Sequence, residues 1–223
     1  MLLVTGGNGF IATSLRRSLT KADVPFKLAA RQTSLDMIAV GNIASTTDWS
    51  GALSGVTTVI HLAGLAHRLS GPASLEEFRS VNVDGSINLA RQAADAGVRR
   101  FVFVSSIGVL GQVTPVGQPL TDNSPARPIT PYAVSKHEAE EALKTLCPTL
   151  GLELVILRPP LGLWCSSTWQ FRQACSPRAK WLSAATVIGE EPSEHGLGWR
   201  PFARAHRLRH QRGSSEPDIR RCR

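Results

Sequence analysis

Leu2-Leu3-Val4-Thr5-Gly6-Gly7-Asn8-Gly9-Phe10-Ile11-Ala12 passes from an apolar run through a glycine turn into a segment whose Phe10, Ile11, Leu15 and Leu19 share one helical stripe. The pattern predicts a buried strand, a tight turn and an amphipathic helix, the order that dinucleotide binding requires. Gly6 permits the turn, Gly9 lets the backbone approach a pyrophosphate, and the small Ala12 lets the helix pack close to the strand. Phosphates fit the N-terminus of such a helix, where unpaired N–H groups and the helix dipole attract anions. Any tight strand-to-helix turn can use glycine, so the downstream segments decide the reading.

Phe26-Lys27-Leu28-Ala29-Ala30 reads as a second strand ending at Arg31. An acid at that tip would bond the adenosine ribose, whereas an arginine accommodates a 2′-phosphate. Arg31 therefore tilts the choice towards NADP, or is simply a solvated strand-end residue. Met37 to Val40 is a third strand, with Gly41-Asn42-Ile43 in the loop that would meet an adenine edge. Thr57 to Gly64 is a fourth, β-branched and closed by small residues that allow close approach. His61 and His67 have no third metal ligand spaced near them and receive no role. Apolar positions from Leu75 to Ala96 suit one long helix capped by Gly97, with Asn82 inside it. Arg99-Arg100 leads into the strand Phe101-Val102-Phe103-Val104, which breaks into Ser105-Ser106. The carboxyl ends of strands line the ligand crevice of open α/β sheets, which makes these serines candidates for substrate contact. Gln112 to Thr130 is a proline-rich crossover near the site.

Thr130-Pro131 supplies an N-cap and a first-turn proline for a helix reaching about Leu150, with Glu138, Glu140 and Glu141 towards its exposed side. Tyr132, the sole tyrosine, precedes Lys136 by one helical turn, so the two side chains share a face. A phenol with pKa about 10 is a poor acid-base group near neutrality unless a neighbouring ammonium stabilises the phenolate. The pair is either proton-transfer machinery or a surface helix with a solvated lysine. Leu152 to Leu157 is the last strand before Arg158-Pro159-Pro160.

The chain has 223 residues, enough for one substantial core, and no apolar run of membrane-spanning length. The opening Met1-Leu2-Leu3-Val4 is too short for a signal segment, which points to a cytoplasmic protein. Cys147, Cys165, Cys175 and Cys222 show no paired spacing, so neither zinc nor a disulfide framework is expected. The net charge of +8 would suggest a nucleic-acid partner, but ten arginines and one lysine against five acids lie beyond Leu161. That segment has no basic helical face with interleaved aromatics, so no nucleic-acid partner is expected.

Together, residues 1 to about 161 resemble the extended short-chain dehydrogenase/reductase family, the nucleotide-sugar epimerases, dehydratases and reductases. Thr5 to Ala12 is similar to its TGGxGFIG loop, which implies cofactor contacts at Gly6, Gly9, Phe10 and Ile11. Asn42-Ile43 sits where the family places Gly-Asp-Leu or Gly-Asp-Ile against the adenine. His61-Leu62-Ala63-Gly64 resembles the HLAA strand end beside the cofactor, and Asn82 the helix asparagine that supports the site. Ser105 to Gly111 resembles SSxxVYG, which places the catalytic serine at Ser106, with Leu110 in place of the tyrosine. Tyr132 to Lys136 matches YxxxK, and Pro159 falls at the strand end that flanks the nicotinamide. The resemblance implies a Rossmann-type doubly wound parallel sheet with helices on both faces; beyond it, where the likeness stops, an irregular C-terminal tail is expected. It further implies NAD or NADP as cofactor, a nucleotide sugar, UDP-linked, as partner, and a homodimer through long helices that include the Tyr132 helix. Tyr132 would exchange the proton, Lys136 would lower its pKa and hold the nicotinamide ribose, and Ser106 would bond the sugar oxygen. The nearest pattern is that of bacterial UDP-sugar 4-epimerases and 4-keto-reductases of surface polysaccharide synthesis.

Residues 1–160 are thus expected to form the cofactor domain with the catalytic residues. Residues 161–223 hold four of the five tryptophans and three of the four cysteines. This enrichment is what out-of-frame reading of a GC-rich gene gives, so the segment is expected to replace most of the domain that closes over the sugar; a divergent tail is the alternative. A dinucleotide-binding protein without turnover is the second functional class.

Overall fold

The computed structural model describes residues 1–159 except 33, 35, 67–72, 112–118 and 122. The segment 161–223, with Cys165, Cys175 and Cys222, lies outside the described residues, as do His67, Pro160 and part of the proline-rich crossover.

Where helical periods separate the short apolar runs, strands have no hairpin partner and pair in parallel through crossovers; Phe26–Ala30 and Met37–Ala39 also pair in parallel, with no helix between them. Six strands do so: β1 (Leu2–Thr5), β2 (Phe26–Ala30), β3 (Met37–Ala39), β4 (Thr58–His61), β5 (Arg100–Val104) and β6 (Glu153–Leu157). Their order is β3-β2-β1-β4-β5-β6, with Thr5 opposite Ala29 on one side and His61 on the other. The chain reverses direction across the sheet between β1 and β4, and the crevice beyond their carboxyl ends is where such folds bind ligands.

Strand alternation divides the core. Leu3, Val59, Phe101 and Phe103 pack with α4 (Gly85–Asp95) and α5 (Pro131–Thr149) on one face. Val4, Leu28, Ile60 and Val102 meet Leu15 and Leu19 of α1 (Phe10–Lys21) on the other. Three expectations are corrected here. Phe10 is 70% exposed, because α1 begins at this residue and its first turn projects beyond the sheet; Ala12 takes the buried place. The long helix over Leu75 to Ala96 is interrupted: α3 (Leu75–Arg79) passes into a π turn over Ser80–Asp84 before α4 starts. Glu140 is fully buried rather than exposed, since Arg158 at the end of β6 reaches back to its carboxylate. A short helix α2 (Ser50–Leu53), preceded by the fully buried Trp49, carries no sequence period long enough to show. Among the described residues no helix is long and apolar enough to cross a membrane.

Candidate active site

The glycine turn is held by its own backbone. Gly9 N–H donates to Gly6 O at 2.8 Å and Gly7 N–H to Ala29 O at 2.9 Å. Gly6 has φ +71°, and a Cβ there would stand 2.9 Å from the Ala63 nitrogen, so no side chain fits between the ends of β1 and β4. Gly9 caps α1 without a side chain, and no acid occupies the first turn, which leaves the N-terminal N–H groups of a twelve-residue helix open to an anion. These residues form one wall of a cleft of about 770 Å³.

The opposite wall comes from the ends of β2 and β3. Of the residues expected at a cofactor, Gly6, Gly9, Arg31, Asn42, Ile43, Leu62, Ala63 and Gly64 line this cleft. Phe10, Ile11, Asn82, Tyr132, Lys136 and Pro159 do not. Sequence reasoning missed Trp49, Asn8 and Val81, which also line it. It also missed the clamp on the Asn42 to Trp49 loop. Asn88 and Gln92 of α4 donate to Thr47 O, each at 2.8 Å, and Gln92 accepts from Trp49 N–H at 2.8 Å. The signal was present as polar residues on the inner side of an amphipathic helix. Gly85 matters for space: a Cβ on it would stand 2.3 Å from Cγ2 of Ile43. Gly85→Ala is therefore expected to destabilise the fold by about 1–3 kcal/mol in urea unfolding, the range for overpacking. An unchanged midpoint would show that Ile43 yields freely.

Asn82 is a clamp rather than an open ligand. Its Oδ1 accepts from Leu65 N–H at 2.8 Å, and its Nδ2 donates to Leu65 O at 3.0 Å and to Ser135 Oγ at 2.9 Å. It thereby joins the loop after β4 to α5 one residue before Lys136. Ser86 Oγ in turn donates to Asn82 O at 2.7 Å, the i to i−4 bond of a helical serine. His61 completes the chain, with Nε2 3.0 Å from Ser86 Oγ and Nδ1 2.7 Å from Thr5 Oγ1, which itself accepts from Ala63 N–H. Since the Ser86 proton is committed to Asn82 O, Nε2 must donate and Nδ1 must accept. The ring is neutral, its pKa pulled to about 3 by burial and then by the Lys136 charge.

The catalytic corner lies where α5 crosses the end of β5. Thr130 caps the helix by accepting from Ala133 N–H at 3.2 Å, which starts Tyr132 and Lys136 on the inner face. Lys136 is buried; its Nζ donates to Val104 O at 3.0 Å and lies 4.6 Å from the centre of the Phe103 ring. A Cβ on Gly64 would stand 3.3 Å from that Nζ, so the inner end of the cleft abuts the ammonium. Burial pulls the Lys136 pKa down to about 8, with the Glu140 charge opposing. Burial also raises the Tyr132 pKa. Ser106 caps the 3-10 turn Ile107–Leu110, its Oγ accepting from Gly108 N–H at 3.1 Å; its own proton has no acceptor among the described residues. Ile107 N–H donates to Pro159 O at 3.2 Å, which fixes the end of β6 beside that turn.

His137, Glu140 and Glu141 come together on α5, where Arg158 donates to the Glu140 carboxylate. Cys147 is a buried free thiol whose pKa burial pushes up to about 11, an inert core residue.

Residues 2–162 match the model of the NAD dependent epimerase/dehydratase family. A UDP-glucose 4-epimerase of Vibrio cholerae is 40% identical over 167 residues, covering 72% of this chain and 51% of the relative. A short-chain dehydrogenase/reductase superfamily protein from Agrobacterium tumefaciens, solved with bound NAD, superposes with TM-score 0.62 at 32% identity, covering 71% of this chain and 48% of that one. The enzyme MoeE5, solved with UDP-glucose and NAD, gives TM-score 0.61 at 29% identity, over 70% and 53% of the two chains. The chain thus spans about half the length of the relatives it matches.

Proposed function

The chain belongs to the NAD dependent epimerase/dehydratase family, and from that premise we propose that it moves a hydride between a nicotinamide dinucleotide and a carbon of a nucleotide sugar, as an epimerase or 4-keto-reductase. The observation that carries this reading is the seating of Lys136: a buried ammonium, one turn beyond Tyr132, at the inner end of a cleft whose outer end is a glycine turn and an open helix N-terminus. The cleft fits a dinucleotide on physical grounds, since the position of Gly6 admits no side chain and the first turn of α1 carries no competing acid. When bound, that group supplies the hydride donor or acceptor.

The chain's own residues do the rest. The α1 N-terminus holds the pyrophosphate, and the walls at Asn42, Ile43 and Arg31 hold the adenosine. Lys136 places its charge at the ribose and beside the Tyr132 hydroxyl. Ser106, whose proton is uncommitted, donates to the sugar oxygen, and Tyr132 passes a proton to or from that same oxygen. A nucleotide-sugar partner, a cytoplasmic setting and a homodimer through the long helices belong to the same proposal.

The matched region supports a cofactor domain, and the part expected to hold the sugar would fall in residues 161–223. If that segment is the out-of-frame stretch its composition suggests, limited proteolysis will trim the chain to a core ending near residue 160; a resistant full-length chain overturns this. The test of function is binding of NADH and NADPH, then conversion of UDP-sugars or their 4-keto forms. Binding with turnover is the expected result. Binding without turnover favours a dinucleotide-binding protein that has lost its chemistry, and no binding removes the proposal.

A further inference from the structure

Tyr132 stands second in α5, directly after Pro131. A helical side chain leans back over the turn before it, and this early in the helix no such turn exists, so α5 itself gives the Tyr132 ring nothing to rest on. The support comes from α3. The Phe78 ring, itself buried, meets the Tyr132 ring at 61° with centroids 6.1 Å apart, the tilted geometry that aromatic quadrupoles favour. The segment that carries Phe78 is fastened around this contact. Ser74 and Glu77 close a capping box at the start of α3, and Arg79 donates through Nε and a terminal nitrogen to the two Glu138 oxygens, at 2.9 and 2.7 Å. Just beyond α3, Asn82 donates to Ser135 Oγ at 2.9 Å. Phe78, Asn82 and Arg79 therefore grip α5 at Tyr132, Ser135 and Glu138, a stripe at three-residue spacing along one side of the helix.

We infer that Phe78 is a positioning residue for proton transfer: it fixes the plane of the Tyr132 ring, and with it the place of the phenol oxygen, while the Asn82 and Arg79 grips keep Phe78 in register with α5. The inference rests on the acid-base reading of Tyr132 above. The polar groups of the corner are engaged elsewhere, since Lys136 Nζ donates to Val104 O and Ser106 Oγ accepts from Gly108 N–H. Among the described residues no hydrogen bond holds the Tyr132 hydroxyl, so ring packing sets its place in the chain alone. The oxygen lies at the far end of the side chain, where a small swing of the ring carries it out of hydrogen-bond reach of a sugar oxygen. The same cover keeps water from the phenol, in accord with the raised pKa of Tyr132.

Tyr132 is the only tyrosine in the full-length chain, so ring-labelled tyrosine gives the nuclear magnetic resonance signals of this residue alone. Relaxation of those signals should report an ordered ring in the wild type and much greater ring motion in Phe78→Leu, which keeps an apolar side chain and removes the ring that sets the plane. Circular dichroism checks the fold, and Phe78→Met carries the same test should Phe78→Leu not fold. In steady-state assays on UDP-sugars or their 4-keto forms, the variant should lose roughly tenfold to a hundredfold in kcat, with KM and NADH affinity within about twofold of wild type, the pattern of a misplaced reacting group rather than a loosened binding site. A ring as ordered in the variant as in the wild type would overturn the role of Phe78, as would an unchanged kcat or a loss that falls on KM and NADH affinity instead. Where the wild type binds dinucleotide without turnover, the ring measurement decides. Undiminished turnover in Tyr132→Phe would instead remove the acid-base reading on which the inference rests.

Discussion

Tyr132→Phe is expected to reduce turnover of a nucleotide sugar by about a hundredfold to ten-thousandfold, the usual worth of a positioned acid-base group. The substitution deletes one oxygen and nothing else. The ring keeps its edge contact with Phe78, 6.1 Å between centroids, so neither α3 nor α5 loses packing. What disappears is the group that exchanges a proton with the sugar oxygen. Steady-state assays on UDP-sugars and their 4-keto forms read the loss directly, and retention of more than a tenth of the wild-type rate would remove Tyr132 from the chemistry. The pH profile gives a second reading. With the Lys136 pKa at about 8, the ammonium beside the phenol is lost as pH rises through that value, so the reductive rate should fall on the alkaline side well before an ordinary lysine would titrate. A rate that stays flat up to the usual lysine range would show that Lys136 is not the group whose charge matters.

The scaffold of this corner was legible because each part of it is local. A glycine turn between a strand and a helix, a proline in the first turn of α5, and Tyr132 and Lys136 one turn apart all announce themselves by spacing. Parallel pairing follows from the same pattern, since strands that alternate with helices must cross over to pair, whereas their order across the sheet does not. What could not be read is long-range. Asn82 is placed by spacing inside a helix, but its partners at Leu65 and Ser135 come from two other elements. The π turn that carries it has no sequence signature. His61 gave no sign of its role because Thr5 and Ser86 reach it from 56 residues upstream and 25 downstream. The burial that raises the Tyr132 pKa is likewise set by neighbours distant in sequence, Phe78 among them.

Glu140 shows how far such a hidden contact can reach. It lies one turn beyond Lys136 on the inner face of α5, fully buried, and accepts from Arg158 Nε at 2.9 and 3.2 Å and from the second guanidinium nitrogen as well. Breaking a buried ion pair from one side strands the other charge, so Glu140→Ala is expected to destabilise the fold by about 3–5 kcal/mol in urea unfolding. The double variant Glu140→Leu with Arg158→Met should recover much of that loss, because it removes the stranded charge as well. A single variant near wild-type stability would show that solvent reaches the pair. The effect also extends to Lys136, whose charge Glu140 supports. Without that carboxylate, burial should carry the lysine's pKa below about 8 and bring the alkaline loss of activity to lower pH. The sign on stability comes from the same shift. Lys136 titrates near 8 when folded but at 10.5 when exposed, so the unfolded chain holds the extra proton between those values and stability from this group rises with pH across that window. Glu140→Gln, which keeps the shape and removes the charge, separates the two effects: it should widen the window at its lower end, whereas a variant that only loosened packing would leave the titration of Lys136 where it was.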